Sequence, residues 1–315
     1  MKKLITIITP CYNEELNVGE CYEAVRELFQ KELSQYNYEH IFCDNDSKDN
    51  TVNILEKLSS EDHKVKVILN SRNYGPQRST YNGLLRARGD AVLVMLPADL
   101  QDPPQIITQF VRKWEEGFEV VYGIRANREE NFILKSIRRI FYRTLSKTSN
   151  IEIPIDAGEF QLIDRVVVDA LKKYEDYYPY IRGMIADCGF HSVGIPYTWL
   201  ARKRGFSKNN LYHLVDQALN GLISYTNFAM RLCILIGAII SIISIGYSIV
   251  SLIINIIYFR KLSPPGIPTL IVSIFFFSGV QLLFMGIIGE YISAIHQQVR
   301  KKPLVIERKI INFGP

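Results

Sequence analysis

A chain of 315 residues accommodates one large domain with an appendage, or two domains. Its 48% hydrophobic share is high for a purely soluble enzyme, and its five cysteines (Cys11, Cys21, Cys43, Cys188, Cys233) lack metal-type pairing and read as reduced residues of a cytosolic domain. The net charge of +5 is modest: it allows nucleic-acid binding on charge alone, but the apolar segments below make a lipid headgroup the better partner, so no nucleic acid is expected.

The first ~125 residues alternate short apolar runs with helix-period segments, the pattern of a largely parallel sheet with helices on both faces. Strands are predicted at 4–9, 40–43, 65–69, 91–96 and 119–122, with helices starting near Leu16, Thr51, Gly75 and Pro104. The opening Met1-Lys2-Lys3 leads into an apolar run too short for a signal-peptide core. Over 128–148, Ile133, Ile137, Phe141 and Leu145 recur at helical spacing, and Lys135, Arg138, Arg139, Arg143 and Lys147 fill other positions. This predicts an amphipathic helix suited to a membrane interface. The pattern from 151 to 197 is mixed and holds a further acidic turn, Asp156-Ala157-Gly158-Glu159.

The apolar excess lies beyond Phe228. No charge falls between Arg231 and Arg260, or between Lys261 and Glu290, so each run exceeds the ~20 residues that cross a bilayer. A short breaker-rich linker, Arg260-Lys261-Leu262-Ser263-Pro264-Pro265-Gly266-Ile267-Pro268, joins them. The expected organisation is an α/β domain over 1–210, a juxtamembrane helix over 211–227, a hairpin over 228–296 with spans near 231–259 and 268–293, and a basic cytoplasmic tail over 297–315. Arg300, Lys301, Lys302, Arg308 and Lys309 outnumber Arg260 and Lys261, which predicts an integral inner-membrane protein with its domain and both termini cytoplasmic.

Three polar clusters end predicted strands. Pro10-Cys11-Tyr12-Asn13-Glu14 follows the first, Asp44-Asn45-Asp46-Ser47-Lys48-Asp49 the second, and Asp99-Leu100-Gln101-Asp102 the fourth. In a parallel sheet all three fall on one edge, where ligands bind. Carboxylate oxygens there suit a hard divalent cation, and such a cation suits a diphosphate.

The Pro-Xaa-Tyr-Asn-Glu opening, the Asp-rich second turn and the run Ala98-Asp99-Leu100-Gln101-Asp102-Pro103-Pro104 appear in order. Gly123-Ile124-Arg125, Asp156-Ala157-Gly158, Arg182-Gly183 and Arg202-Lys203-Arg204-Gly205-Phe206-Ser207-Lys208 follow. On these residues the chain resembles the family-2 inverting glycosyltransferases of GT-A fold, and more narrowly the polyprenyl-phosphate glycosyltransferases of the dolichol-phosphate mannose synthase and bactoprenol glucosyltransferase type. The resemblance implies an α/β class: a Rossmann-like, mainly parallel GT-A domain followed by a two-helix transmembrane hairpin. By it, Pro10, Tyr12, Glu14, Asp44 and Asp46 would hold base and ribose, and Asp99 and Gln101 would ligate Mg²⁺ or Mn²⁺ against the diphosphate. Arg202 and Lys208 would reach that diphosphate from a loop. Asp156 would be the catalytic carboxylate, with Arg125 and Arg139, and more weakly Arg128 and Arg143, gripping the acceptor phosphate.

The expected reaction is inverting transfer of one sugar from a nucleoside-diphosphate sugar, with UDP-glucose favoured, to undecaprenyl or another polyprenyl monophosphate at the membrane. A homo-oligomer is expected, a tetramer among the assemblies allowed. Pro97 stands where the family usually shows the first Asp of Asp-Xaa-Asp, and Asn45-Asp46 where Asp-Gly or Asp-Ser is commoner. Two alternatives remain open: a nucleotide-sugar-binding membrane protein with impaired chemistry, and a glycosyltransferase with another lipid acceptor.

Overall fold

The computed structural model describes residues 2–127, 157–177, 179–200, 236, 239–240, 243, 246, 267–299 and 302–314. The chain divides into two compact units. The first holds an eight-stranded sheet, its helices and the C-terminal residues Lys302–Pro315.

In chain order the first unit runs β1 (Leu4–Cys11), α1 (Val18–Lys31), β2 (Asn37–Asp44), α2 (Thr51–Glu61), β3 (Val65–Asn70), α3 (Pro76–Arg86) and β4 (Ala91–Leu93). It continues with α4 (Ile106–Glu115), β5 (Val120–Asn127), β6 (Ala157–Asp164), α5 (Arg165–Leu171), α6 (Ile181–Asp187) and β7 (Ser192–Thr198). A long helix, α7 (Ile267–Val299), belongs to the second unit, and β8 (Glu307–Ile311) returns to the first.

The sheet order is β7-β5-β6-β4-β1-β2-β3-β8. β1 pairs in parallel with β2 and β4, β2 with β3, and β5 with β7. β6 is antiparallel to both neighbours, and β8 is antiparallel to β3. Ile5, Ile7 and Ile8 of β1 are fully buried, as a central parallel strand covered on both faces requires. α4 buries Ile107, Phe110, Val111 and Trp114, one stripe at helical spacing, on the sheet. Pro76 opens α3 after Gly75, whose φ of 83° favours glycine. α3 lies so close to the sheet that a Cβ on Gly83 would meet Cys43 Sγ at 2.7 Å.

The strands predicted at 4–9, 40–43 and 65–69 lie within β1, β2 and β3, and that predicted at 119–122 begins one residue before β5. The fourth is shorter than predicted, yet Leu96 N still donates to Ile8 O at 2.8 Å, so the chain stays beside β1 up to the acidic turn.

The expected integral-membrane localisation is overturned: among the described residues no helix is long and apolar enough to cross a membrane. The two-span reading counted charge-free length along the chain alone. Of 231–259, only 236, 239, 240, 243 and 246 are described, and the last third of α7 carries Glu290, His296, Gln297 and Gln298. Two cations used to orient the spans have other partners. Arg308 and Lys309, read as part of a basic tail over 297–315, sit in β8 and ion-pair with Asp46 and Glu56. The amphipathic segment 128–148 and the juxtamembrane segment 211–227 lie outside the described residues.

Candidate functional site

The parallel pairing of β1, β2 and β4 puts the three polar turns on one edge of the sheet. The first two interlock through the backbone. Asn13 N donates to Ser47 Oγ at 2.8 Å, and Lys48 N donates back to Asn13 Oδ1 at 2.7 Å. Glu14 N donates to Thr51 Oγ1 at 2.9 Å, and Asn45 N to Cys11 O at 2.9 Å. Pro10, Tyr12 and Glu14 therefore share one rigid lip with Asp44 and Asp46.

Each turn contains a non-glycine residue in the left-handed region: Asn13 at φ 52°, Asp46 at 63° and Leu100 at 54°. A bulky leucine is rare there. Such strain persists only where the surroundings over-determine it, and it concentrates at ligand sites. The only other described non-glycine residue of this kind is Asn312.

The two Asp of the second turn differ in environment. Asp44 is 1% exposed and accepts from Ser47 N and Ser47 Oγ. Burial raises its pKa above the usual carboxylate value, and the Ser47 bonds oppose that shift. Asp46 accepts from Lys48 Nζ at 2.6 Å and from Arg308 Nη2 at 3.1 Å. Those contacts, Lys48 first, hold it below the ordinary value.

In the third turn, Pro97 O accepts from Leu100 N at 3.1 Å, and Asp99 Oδ1 accepts from Gln101 N at 3.2 Å. Pro97 thus forms the start of the turn rather than supplying a side-chain ligand. Gln101 and Leu200 clasp each other: Leu200 N donates to Gln101 O at 2.9 Å, and Gln101 Nε2 to Leu200 O at 3.2 Å. Leu200 directly precedes the segment with Arg202 and Lys208. Among the described residues no cluster of three or more His, Cys, Asp or Glu could hold a metal ion.

Asp102 is 1% exposed and belongs to a different cluster. Arg125 Nη2 donates to its two oxygens at 3.1 and 3.3 Å, Tyr197 OH also donates to it, and Arg125 Nε donates to Tyr197 OH at 3.1 Å. Burial alone would lower the Arg125 pKa, but Asp102 and Tyr197 outweigh it and raise it. Burial, then Asp102, raises that of Tyr197. Arg125 also lies 5.3 Å from the Trp199 ring centre. The Arg125 fork, expected to grip an acceptor phosphate, is therefore already charge-paired. Asp156, Arg128, Arg139, Arg143, Arg202 and Lys208 lie outside the described residues.

Two parts of this edge had not been read from the sequence. The turn after β3 brings buried Asn70 against Asn45, Asn70 Nδ2 donating to Asn45 Oδ1 at 3.0 Å. The polar run Asn70-Ser71-Arg72-Asn73 closing on Gly75-Pro76 carried that signal, since it ends the third parallel strand. The second part, Arg308, had no local signal: β8 is five residues long and three of them are charged.

The model of "Glycosyl transferase family 2" matches residues 6–172. The chain belongs to that family. It is a glycosyltransferase with a GT-A-like, mainly parallel α/β sheet. The "Uncharacterized glycosyltransferase YkcC" of Bacillus subtilis is 36% identical over 305 residues, covering 96% of this chain and 93% of that one. The "Bactoprenol glucosyl transferase" of Shigella phage SfII is 33% identical over 312 residues, covering 99% of each. Among solved structures, the mannosyltransferase PcManGT of Pyrobaculum calidifontis, in complex with GDP-Man and Mn²⁺, is similar with a TM-score of 0.49 and 16% identity, over 74% of this chain and 65% of that one.

Proposed function

We propose that this glycosyltransferase moves one sugar, glucose from UDP-glucose first among donors, onto a polyprenyl monophosphate with inversion at the anomeric carbon. The carrying observation is the interlocked edge, where three turns with left-handed residues bring Asp44, Asp46 and Asp99 to the carboxyl ends of β1, β2 and β4. The full-length likeness to a phage bactoprenol glucosyl transferase supports the acceptor.

On this reading Pro10, Tyr12, Glu14, Asp44 and Asp46 form the nucleoside half of the site. Carboxylates accept from ribose hydroxyls and base N–H groups. Asp99 and the amide oxygen of Gln101 are a small all-oxygen donor set, which fits Mg²⁺ or Mn²⁺ only when phosphates and water complete the shell. When bound, that ion would neutralise charge on the departing diphosphate. Arg202 and Lys208 serve the same diphosphate, and Leu200, two residues before Arg202 in sequence, is clasped to Gln101 beside Asp99.

The acceptor phosphate is largely dianionic at neutral pH and needs no strong base. Asp156 then orients it or accepts a residual proton. Arg125 acts beside it as a charge already held by Asp102, and Arg139, with Arg128 and Arg143, supplies further guanidinium forks.

The test is a transfer assay with undecaprenyl phosphate in detergent, Mg²⁺ or Mn²⁺, and a panel of labelled UDP- and GDP-sugars. Lipid-linked sugar from one donor, lost in Asp99→Ala and Asp156→Asn, is the expected result. Nucleotide binding without product from any donor would overturn the catalytic reading.

A further inference from the structure

β8 is the last strand of the chain, and it does more than cover the edge of β3. Its register is Val67↔Ile311, Ile68↔Ile310 and Leu69↔Lys309, then Asn70↔Glu307, with a shift between Leu69 and Asn70. Arg308 is left without a partner in the ladder, as the extra residue of a β-bulge. Bulges bend a strand and re-aim a side chain, and they are enriched beside functional sites.

The residues around the bulge fix its position. Arg86 grips Glu307 with Nε at 2.8 Å and Nη2 at 2.6 Å, and Asn82 Nδ2 adds a bond at 2.6 Å. At the other end Asn312, at φ 64°, donates through Nδ2 to Ser59 O and Val65 O. Ser71 N donates to Ile306 O at 2.9 Å. Between these clamps Arg308 Nη2 reaches Asp46 Oδ1 at 3.1 Å and Ser71 O at 3.3 Å. It thereby bridges the strained second turn and the turn after β3.

We propose that Arg308 is a positioning residue of the donor site, which holds the Asp46 carboxylate in its left-handed turn, ready to accept from the hydroxyls of a nucleoside diphosphate. The proposal rests on the reading that this edge binds such a donor. The pair is a poor candidate for a stability role. Arg308 is 61% exposed, and exposed ion pairs contribute little to folding stability. A clamp on Asp46 would act on binding instead, because a preorganised acceptor has less freedom to lose when the ligand arrives.

The experiment measures UMP and UDP affinity of the full chain by calorimetry for wild type, Arg308→Gln, Arg308→Lys and Lys309→Ala. Lys309 is the neighbouring β8 cation, paired with Glu56 away from the turn. Arg308→Gln should weaken UMP and UDP by the same factor, about tenfold, equivalent to about 1.4 kcal/mol. Arg308→Lys should recover part of the loss, Lys309→Ala should bind as wild type, and all four should melt together. In turnover, Arg308→Gln should raise KM for the sugar nucleotide and leave kcat within about twofold.

Unchanged affinity in Arg308→Gln would overturn the proposal. So would equal losses in the Arg308 and Lys309 variants, which would mark a general loosening of β8. A loss for UDP but not UMP would also overturn it, because Arg308 would then contact the second phosphate directly. Wild type that binds neither UMP nor UDP would overturn the UDP-sugar donor reading itself, and the proposal with it.

Discussion

Asp102 shows how one carboxylate can be mistaken for another in a run of polar residues. It sits three positions after Asp99 at the sheet mouth, yet it is sealed against Arg125 and Tyr197. Removing one partner of a buried pair strands the other charge, so Asp102→Ala should cost about 3–5 kcal/mol in urea unfolding. Tyr197→Phe keeps the ring and loses one bond to a charged group, and should cost about 1.5–3 kcal/mol in the same measurement. A loss below about 1 kcal/mol for Asp102→Ala would mean that Arg125 finds another partner. His40 makes a separate prediction. It is fully buried on β2, with Nε2 2.9 Å from Thr9 Oγ1, and burial lowers its pKa to about 3. An unfolded histidine titrates near 6.5, so between those values the unfolded chain binds the extra proton. The contribution is fully present above about 6.5 and is lost as pH falls toward 3, with a slope of up to about 1.4 kcal/mol per pH unit. Unfolding free energies at pH 7.5 to 4.5 should therefore fall less steeply in His40→Gln than in wild type. Equal slopes would show that His40 protonates freely in the fold.

Among the elements, the central parallel strands β1, β2 and β3 were the most legible. β1, β2 and β3 are buried on both faces and so appear as apolar runs. β6 and β7 were hidden in the mixed stretch from 151 to 197, where β7 alternates only weakly between buried and exposed positions. β8 was misread as a basic tail because three charges in five residues outweigh its two isoleucines. Helix α3 shows a constraint that periodicity does not display. Alanine normally favours a helix over glycine by up to about 1 kcal/mol. At Gly83 a Cβ would meet Cys43 Sγ at 2.7 Å and Ile8 Cγ2 at 3.1 Å, both fully buried. Gly83→Ala should therefore lower the melting temperature, since overpacking costs about 1–3 kcal/mol. Combining it with Cys43→Ala, which removes the nearer atom, should restore most of the loss relative to Cys43→Ala alone.

At the scale of the molecule, the site was legible wherever its residues follow a strand directly. The three acidic turns needed only the rule that parallel strands share an edge. Their long-range partners were not legible: Tyr197 lies 95 residues from Asp102, and Arg308 lies 262 residues from Asp46. No local pattern encodes those meetings, because the sheet order creates them. Since the proposed donor edge joins turns from three strands, a bound nucleotide should brace the whole first unit. At a hundred times its dissociation constant, UDP with Mg²⁺ should add about 2.7 kcal/mol to unfolding of wild type. In Asp44→Asn, measured at the same UDP concentration by thermal melting, the added stability should be clearly smaller. The placement of β8 also sets an order on biosynthesis. The ribosome makes Ser71 237 residues before Arg308, and the long helix α7 comes between. A nascent chain can assemble most of its central sheet early, but its donor edge acquires the last clamp only when β8 emerges. On the proposed reading, sugar-nucleotide affinity would then reach its full value only after β8 has paired with β3.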